Sequence, residues 1–187
     1  MKHIYIQPLG NLDKEIIQYL ENNLSQKFSL SIRLLKAMAV PVEAYNLKRR
    51  QYLAPDLLKN VLKASPSDTL KILGVTKADI FIPIFTYVFG QAQLNGKAAL
   101  ISLHRLNPEY YGALPNQELY KTRAVKEAMH ELGHTFGLIH CPEEISCIMS
   151  FSNSINEIDK KRRFFCPACG EFLGRKIEEI KKSETLL

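Results

Sequence analysis

His130-Glu131-Leu132-Gly133-His134-Thr135-Phe136-Gly137-Leu138-Ile139-His140 carries three of the chain's five histidines within eleven residues. Residues four apart share a face of a helix, so a helical run up to Gly137 sets the His130 and His134 imidazoles side by side, able to chelate one ion. Glu131 is one step round from His130. There it borders the ion without binding it, the place of a base that takes a proton from an activated water. Gly137 follows His134 by three residues and tolerates the left-handed backbone that ends a helix and reverses the chain. Such a reversal brings His140 to the same ion as a third ligand. Three protein ligands leave a tetrahedral metal one open position, as catalytic zinc requires. The stretch therefore points to zinc-dependent hydrolysis of peptide bonds. It also places a long helix from Glu118 to Phe136, with Ala124, Ala128 and Leu132 on its buried face.

The chain around this stretch reads as one domain. Its 187 residues suffice for a real core, and 46% apolar with 24% charged residues indicates a globular protein. The apolar stretch at the N-terminus is too short for a signal peptide, and the apolar run from Ile80 to Gly90 is broken by Pro83 and far below membrane-spanning length. A cytoplasmic protein without membrane attachment is expected. The net charge of +6 includes the clusters Lys48-Arg49-Arg50 and Lys160-Lys161-Arg162-Arg163. They read as solvated faces; no recognition motif accompanies them, and no nucleic-acid partner is expected.

Along the chain, His3 to Gln7 reads as a strand. Ile16, Ile17, Leu20 and Leu24 give a helical period over Leu12 to Leu24. Phe28 to Val40 holds a second strand, and Asn46 to Pro55 is a connection. Pro55-Asp56 opens a helix through Leu57, Leu58, Val61 and Leu62. Thr69 to Leu73 is expected as a short helix ended by Gly74. Ala78 to Ile84 reads as a buried strand. Asn95-Gly96 is a turn signal that makes Ala98 to Leu103 a strand and one half of a hairpin.

All four cysteines follow the histidines: Cys141, Cys147, Cys166 and Cys169. Cys166-Pro167-Ala168-Cys169 has the spacing of a zinc knuckle, and two such pairs donate four thiolates to a closed, structural zinc. A metal staple suits a C-terminal region with few large apolar residues. Two disulfides, a redox pair and plain buried thiols are the competing readings. A reducing compartment argues against the first, and the lack of a thioredoxin-like context against the second.

The combined pattern resembles the archaemetzincins, metzincin-like zinc peptidases in which the histidine motif is followed directly by a cysteine, then a second cysteine, a methionine two residues later, and a distant Cys-x-x-Cys. Here those positions are His130 to His140, Cys141, Cys147, Met149, and Cys166 with Cys169. The chain has one residue more between its first two cysteines, and one fewer between Met149 and Cys166, than the usual pattern. The resemblance implies an α+β, zincin-like fold: a twisted mixed sheet with a long active-site helix and a small zinc-stapled C-terminal subdomain. The division expected is residues 1–137, with sheet and helix, and 138–187, with the third histidine and the cysteines. It implies two zinc ions, one catalytic on His130, His134 and His140 and one structural on the four cysteines. It also implies a Met-turn at Met149, packed beneath the ligand rings, with no tyrosine in the Ser150-Phe151 pair that follows.

The expected partner is a peptide or protein substrate, with Glu131 as general base. By analogy with metzincins, Ala98 to Leu103 is an edge strand that pairs with an extended peptide. Endopeptidase and aminopeptidase action both remain compatible with the motif. Glu118, Glu127, Glu143 and Glu144 lie nearby, and helix faces or salt bridges explain them as well as a bound amine does. His3 and His104 are isolated in sequence and are expected to be surface or hydrogen-bonded residues outside the ligand set. With no cysteine ahead of the motif to act as a switch, narrow access to the site is the expected restraint. The alternative functions are a zinc-binding interaction module of weak or lost activity and a metallohydrolase acting on another amide.

Overall fold

The computed structural model describes residues 2–185. Along the chain, β1 (His3–Leu9) leads to α1 (Lys14–Phe28) and β2 (Ile32–Leu34). The short strands β3 (Tyr45–Asn46) and β4 (Gln51–Leu53) precede α2 (Ala54–Lys63). Next come β5 (Thr69–Thr76), β6 (Ile80–Phe81), β7 (Gly90–Ala92) and β8 (Ala98–Ser102), then α3 (Gln117–Thr135), α4 (Ile155–Lys160) and α5 (Pro167–Thr185). The main sheet has the order β2-β1-β5-β8-β7, parallel except for β7, which pairs antiparallel with β8. A second small sheet has the order β3-β4-β6. The result is the α+β mixed sheet with a long helix that the sequence implied.

Strand alternation sorts the core into two layers. Ile4, Ile6, Leu73, Val75, Ala99 and Ile101 face α1 and α3. Tyr5, Leu9, Ile72, Ala98 and Leu100 face Leu57, Leu58 and Val61 of α2. Helices on both faces bury a parallel sheet completely, so its strands read as continuous apolar runs. Each fully buried Leu, Ile or Val contributes about 1.5–3 kcal/mol relative to exposure.

The same fact explains where the sequence misleads. Thr69–Thr76 is a strand, not a helix, because a short apolar run buried on two faces has no period that separates the two states. Gly74 accordingly ends nothing. A Cβ there would stand 2.6 Å from Val61 Cγ2 and 2.9 Å from Leu100 Cδ1, so the missing side chain is what lets α2 lie close on the sheet. Of Ala78 to Ile84 only Ile80–Phe81 is strand, and Ile84 is 80% exposed; Pro83 cannot donate to a ladder. The connection expected at Asn46 to Pro55 contains β4. The hairpin at Asn95-Gly96 forms, with Asn95 at φ 52°. Its consequence for the edge is the reverse of the expectation: β8 is internal, and β7 is the edge strand.

The C-terminal segment is latched to α3 by polar groups. Arg123 holds the Asp159 carboxylate with two hydrogen bonds of 2.8 and 2.7 Å. Lys126 Nζ donates to the carbonyls of Ile158 and Asp159, both at 2.9 Å. At the other end of α3, Lys71 Nζ donates to Thr135 O at 2.6 Å and Gly96 O at 2.7 Å, tying the helix end to the hairpin turn. No helix among the described residues is long and apolar enough to cross a membrane. The close approach at Gly74 is testable: Gly74→Ala is expected to lower stability by about 1–3 kcal/mol through overpacking, read as a shifted midpoint in chemical denaturation. An unchanged midpoint would show that α2 moves away freely.

Candidate functional site

α3 starts with the Asn116 side chain accepting from Leu119 N and runs through the middle of the molecule. Every residue from Arg123 to Gly133 is buried, the charged ones included. At its C-terminal end Phe136 is the last near-helical residue and Gly137 takes φ 97°. Leu138 N then donates to Gly133 O at 3.1 Å and Gly137 N to His134 O at 2.9 Å, the paired bonds of a Schellman turn. The turn aims Leu138 O back at the helix, where it accepts from His134 Nδ1 at 2.7 Å. Two residues on, His140 arrives beside the other two rings, with ring centroids 5.3 Å from His130 and 4.9 Å from His134.

Each helical histidine is fixed through its rear nitrogen. His130 Nδ1 meets Ile148 O at 2.8 Å, and His134 Nδ1 meets Leu138 O. A carbonyl can only accept, so both Nδ1 atoms carry the proton and both Nε2 atoms keep a lone pair. Those Nε2 atoms are 3.1 Å apart, too close for two donors and close to the roughly 3.3 Å that tetrahedral ligands about 2.0–2.1 Å from zinc require. One ligand atom from each of His130, His134 and His140 falls within 4.8 Å of the others, so the three residues could hold a metal ion. Burial, and then the neighbouring cations and imidazoles, keep His130 well below the usual histidine range. His134 and His140 are also lowered, chiefly by burial. Neutral imidazole is the ligand form.

The four cysteines form a second group, with ligand atoms again within 4.8 Å of one another. Cys141 Sγ and Cys166 Sγ are 3.8 Å apart. That is far beyond a disulfide bond and close to the spacing of thiolates about 2.3 Å from a shared zinc. All four are free thiols. Cys147, where the spacing departs from the usual pattern, sits with the rest and accepts from the amides of Met149 and Cys166 at 3.4 and 3.3 Å. Met149 is fully buried. A Cβ on Gly133 would meet its Sδ at 2.5 Å, so the thioether fills the space under α3 between the two helical histidines. Cys141 N donates to Met149 O at 2.9 Å, which joins the strand of chain carrying His140 to the bend beneath it. Phe151 packs on the His140 ring at 4.9 Å.

A sequence profile described as Peptidase family M54 matches residues 4–175. The chain belongs to this family. Among curated relatives, the archaemetzincin of Methanocaldococcus jannaschii is 44% identical over 166 residues, 89% of each chain. That of Pyrococcus furiosus is 38% identical over 182 residues, covering 94% of this chain and 92% of the relative. A crystal structure of archaemetzincin from Archaeoglobus fulgidus, complexed with malonate, superposes with a TM-score of 0.79 at 38% identity over 92% of this chain and 99% of that one. A zinc-dependent peptidase from Methanocorpusculum labreanum gives a TM-score of 0.82 at 29% identity, covering 91% and 99%. As a member of the M54 family this chain is a zinc metallopeptidase.

Several residues of the site carry little signal in the sequence. Glu127 is 5% exposed and shares a hydrogen bond with Glu131, one turn along α3. Burial pushes Glu131 well above the usual carboxylate range, and the Glu127 carboxylate beside it adds to the effect. Burial raises Glu127 as well. Lys161, expected on a solvated face with its basic neighbours, is instead 3% exposed. Its Nζ lies 3.4 Å from His130 Nδ1, and its charge faces Glu127 and Glu131. The two carboxyls thus share one buried cation. A helix-period reading assigns charged residues to solvent; here the C-terminal segment covers the face they occupy. His104 lies outside the site, its ring against Tyr110 at 5.1 Å. His3 is buried, with Nε2 3.7 Å from Asp68.

Gly90 of β7 is the remaining piece. A Cβ there would stand 2.6 Å from Glu131 Cγ and 2.7 Å from Oε1, so the carboxylate lies directly on the backbone of the edge strand. Gly90→Ala is expected to displace Glu131 and lower peptidase kcat/KM about tenfold or more, since about 1.4 kcal/mol suffices for that factor. Zinc content should stay unchanged. Full activity of Gly90→Ala would show that the carboxylate needs no contact with β7.

Proposed function

We propose that this chain hydrolyses peptide bonds with His130, His134 and His140 holding a catalytic zinc and Glu131 as general base, while Cys141, Cys147, Cys166 and Cys169 hold a second, structural zinc. The observation that carries the reading is the convergence of three imidazoles, two of them locked with Nε2 facing a common point, beside a carboxylate held against the edge strand. When bound, zinc supplies the Lewis acid that polarises the scissile carbonyl and acidifies water.

The protein's own groups do the rest. The outer edge of β7 offers its main chain to an extended peptide, the role that the sequence assigns to Ala98 to Leu103. Glu131, whose carboxyl burial raises above the usual carboxylate range, takes a proton from the attacking water and returns it to the departing amine. Glu127 shares a hydrogen bond with that carboxylate, and the Lys161 charge faces both. The cysteine cluster fixes Cys141 and hence the backbone of His140. Four free thiols fit a reducing, cytoplasmic setting.

Glu131→Gln in zinc-loaded protein should retain both zinc ions and lose about 10²–10⁴-fold in kcat, the usual contribution of a general base. Unchanged cleavage by this variant would overturn the role of Glu131. Absence of cleavage by the parent chain across a broad peptide library would favour the interaction module. Metal quantification should find two zinc ions per chain, and Cys166→Ser should lower both stability and the affinity of the histidine site. A Cys166→Ser variant that folds poorly yet holds the histidine-site zinc normally would show that the two centres are independent.

A further inference from the structure

We infer that Tyr87 closes one end of the active-site cleft, so that the scissile bond of a substrate lies within a few residues of a free chain end; the inference rests on the peptidase reading above. The cleft has a volume of about 500 Å³. One wall is the segment between β6 and β7 together with β7 itself. The other is the segment that follows Met149. The Tyr87 hydroxyl joins the two, donating to Asn153 O at 3.0 Å, and both residues line the cleft.

Each end of this bridge is anchored. The Arg105 guanidinium lies 4.1 Å over the Tyr87 ring and forms two 2.7 Å hydrogen bonds to the Asp79 carboxylate. Gln51 donates to the same carboxylate at 2.9 Å. Burial alone would raise Asp79, but these donors hold it below the usual range, so the anchor stays charged at neutral pH. The Phe89 ring meets Tyr87 edge-on at 5.3 Å. On the far wall Asn153 N donates to Glu157 Oε2 at 2.5 Å, and Glu157 also closes the capping box of α4. A ring stacked under a paired guanidinium and tied to a capped loop is a poor candidate for free swinging.

The position of the bridge gives the cleft a direction. Along the β7 wall it comes before Glu131: Tyr87 and Phe89 precede Gly90, which lies on Glu131. The opposite end lies by His134, where Asn95 N donates to His134 O at 2.9 Å. There the cleft is lined by Leu94 and Ile139, 59% and 66% exposed. Tyr87 and Gly90 are three positions apart in the chain, a span of at most about 11 Å between their Cα atoms when fully extended. With the roughly 6 Å reach of the tyrosine side chain added, no more than about five extended substrate residues fit between Glu131 and the bridge. A longer chain enters from the His134 end and must terminate before Tyr87.

The test uses a short peptide that the zinc-loaded chain binds, together with versions lengthened by about six residues at one end or the other. Affinity is read by fluorescence anisotropy on zinc-loaded Glu131→Gln, and kcat/KM on the zinc-loaded parent. Lengthening in one direction should weaken binding about tenfold or more, and lengthening in the other by less than about threefold. Tyr87→Phe, which keeps the ring on Arg105 and removes the bridging hydroxyl, should relieve part of the penalty, and Tyr87→Ala all of it. Equal tolerance of both extensions by the parent, an asymmetry undiminished in both Tyr87 variants, or failure to bind any peptide would overturn the proposal. Asymmetric binding without cleavage by the parent would support the bridge and overturn the peptidase reading.

Discussion

The left-handed turn at Gly137 is the constraint through which the rest of the site is assembled. Its two backbone bonds stop α3 one residue after Thr135 and return the chain along the helix. The returning carbonyl of Leu138 orients the His134 ring. The next residues deliver His140 and then Cys141, whose amide joins Met149, and Met149 fills the gap that Gly133 leaves under α3. One backbone conformation therefore links the three histidines, the bend beneath them and the first residue of the cysteine cluster. A side chain with a Cβ disfavours that conformation by roughly 1–2 kcal/mol, which is why a glycine stands there.

The second organising fact is that α3 is enclosed. Arg123, Lys126, Glu127 and Glu131 are all buried, in a helix that a periodic reading would expose on one side. Burying charge is costly unless it is paired and hydrogen-bonded. Here Asp159 and the carbonyls of α4 satisfy the two cations, and Lys161 faces the two carboxyls. The arrangement keeps Glu131 in a dry, confined place. A raised carboxylate with a fixed direction serves proton transfer better than a solvated one. A zinc dication held by the three histidines, as proposed, would draw such a carboxylate back toward its charged form.

Much of this was legible in the residues because the relevant physics is local. The four-residue spacing of His130 and His134, the glycine after them and the Cys-x-x-Cys pair each describe geometry set within one turn of backbone. The Asn95-Gly96 turn and the helices at Ile16 and Leu57 were legible for the same reason. Misreadings cluster where neighbours distant in sequence decide. Thr69–Thr76 is a strand because β1 and β8 pair on either side of it, and Gly74 is there for the sake of Val61. Lys161 is interior because it faces a helix some thirty residues upstream, near His130.

By itself, then, the sequence determined the chemistry: which side chains can bind metal, which carboxylate stands beside them, and the family to which the pattern belongs. Tertiary structure alone decided the surroundings of that chemistry. It made β7 and not β8 the edge strand, laid Glu131 on Gly90, set Glu127 and Lys161 beside it, and joined Tyr87 to Asn153 across the cleft. The physical reason is range. Ligand spacing follows from helical geometry over a few residues, whereas strand order, burial of charge and the closure of a cleft depend on contacts between segments that only folding brings together.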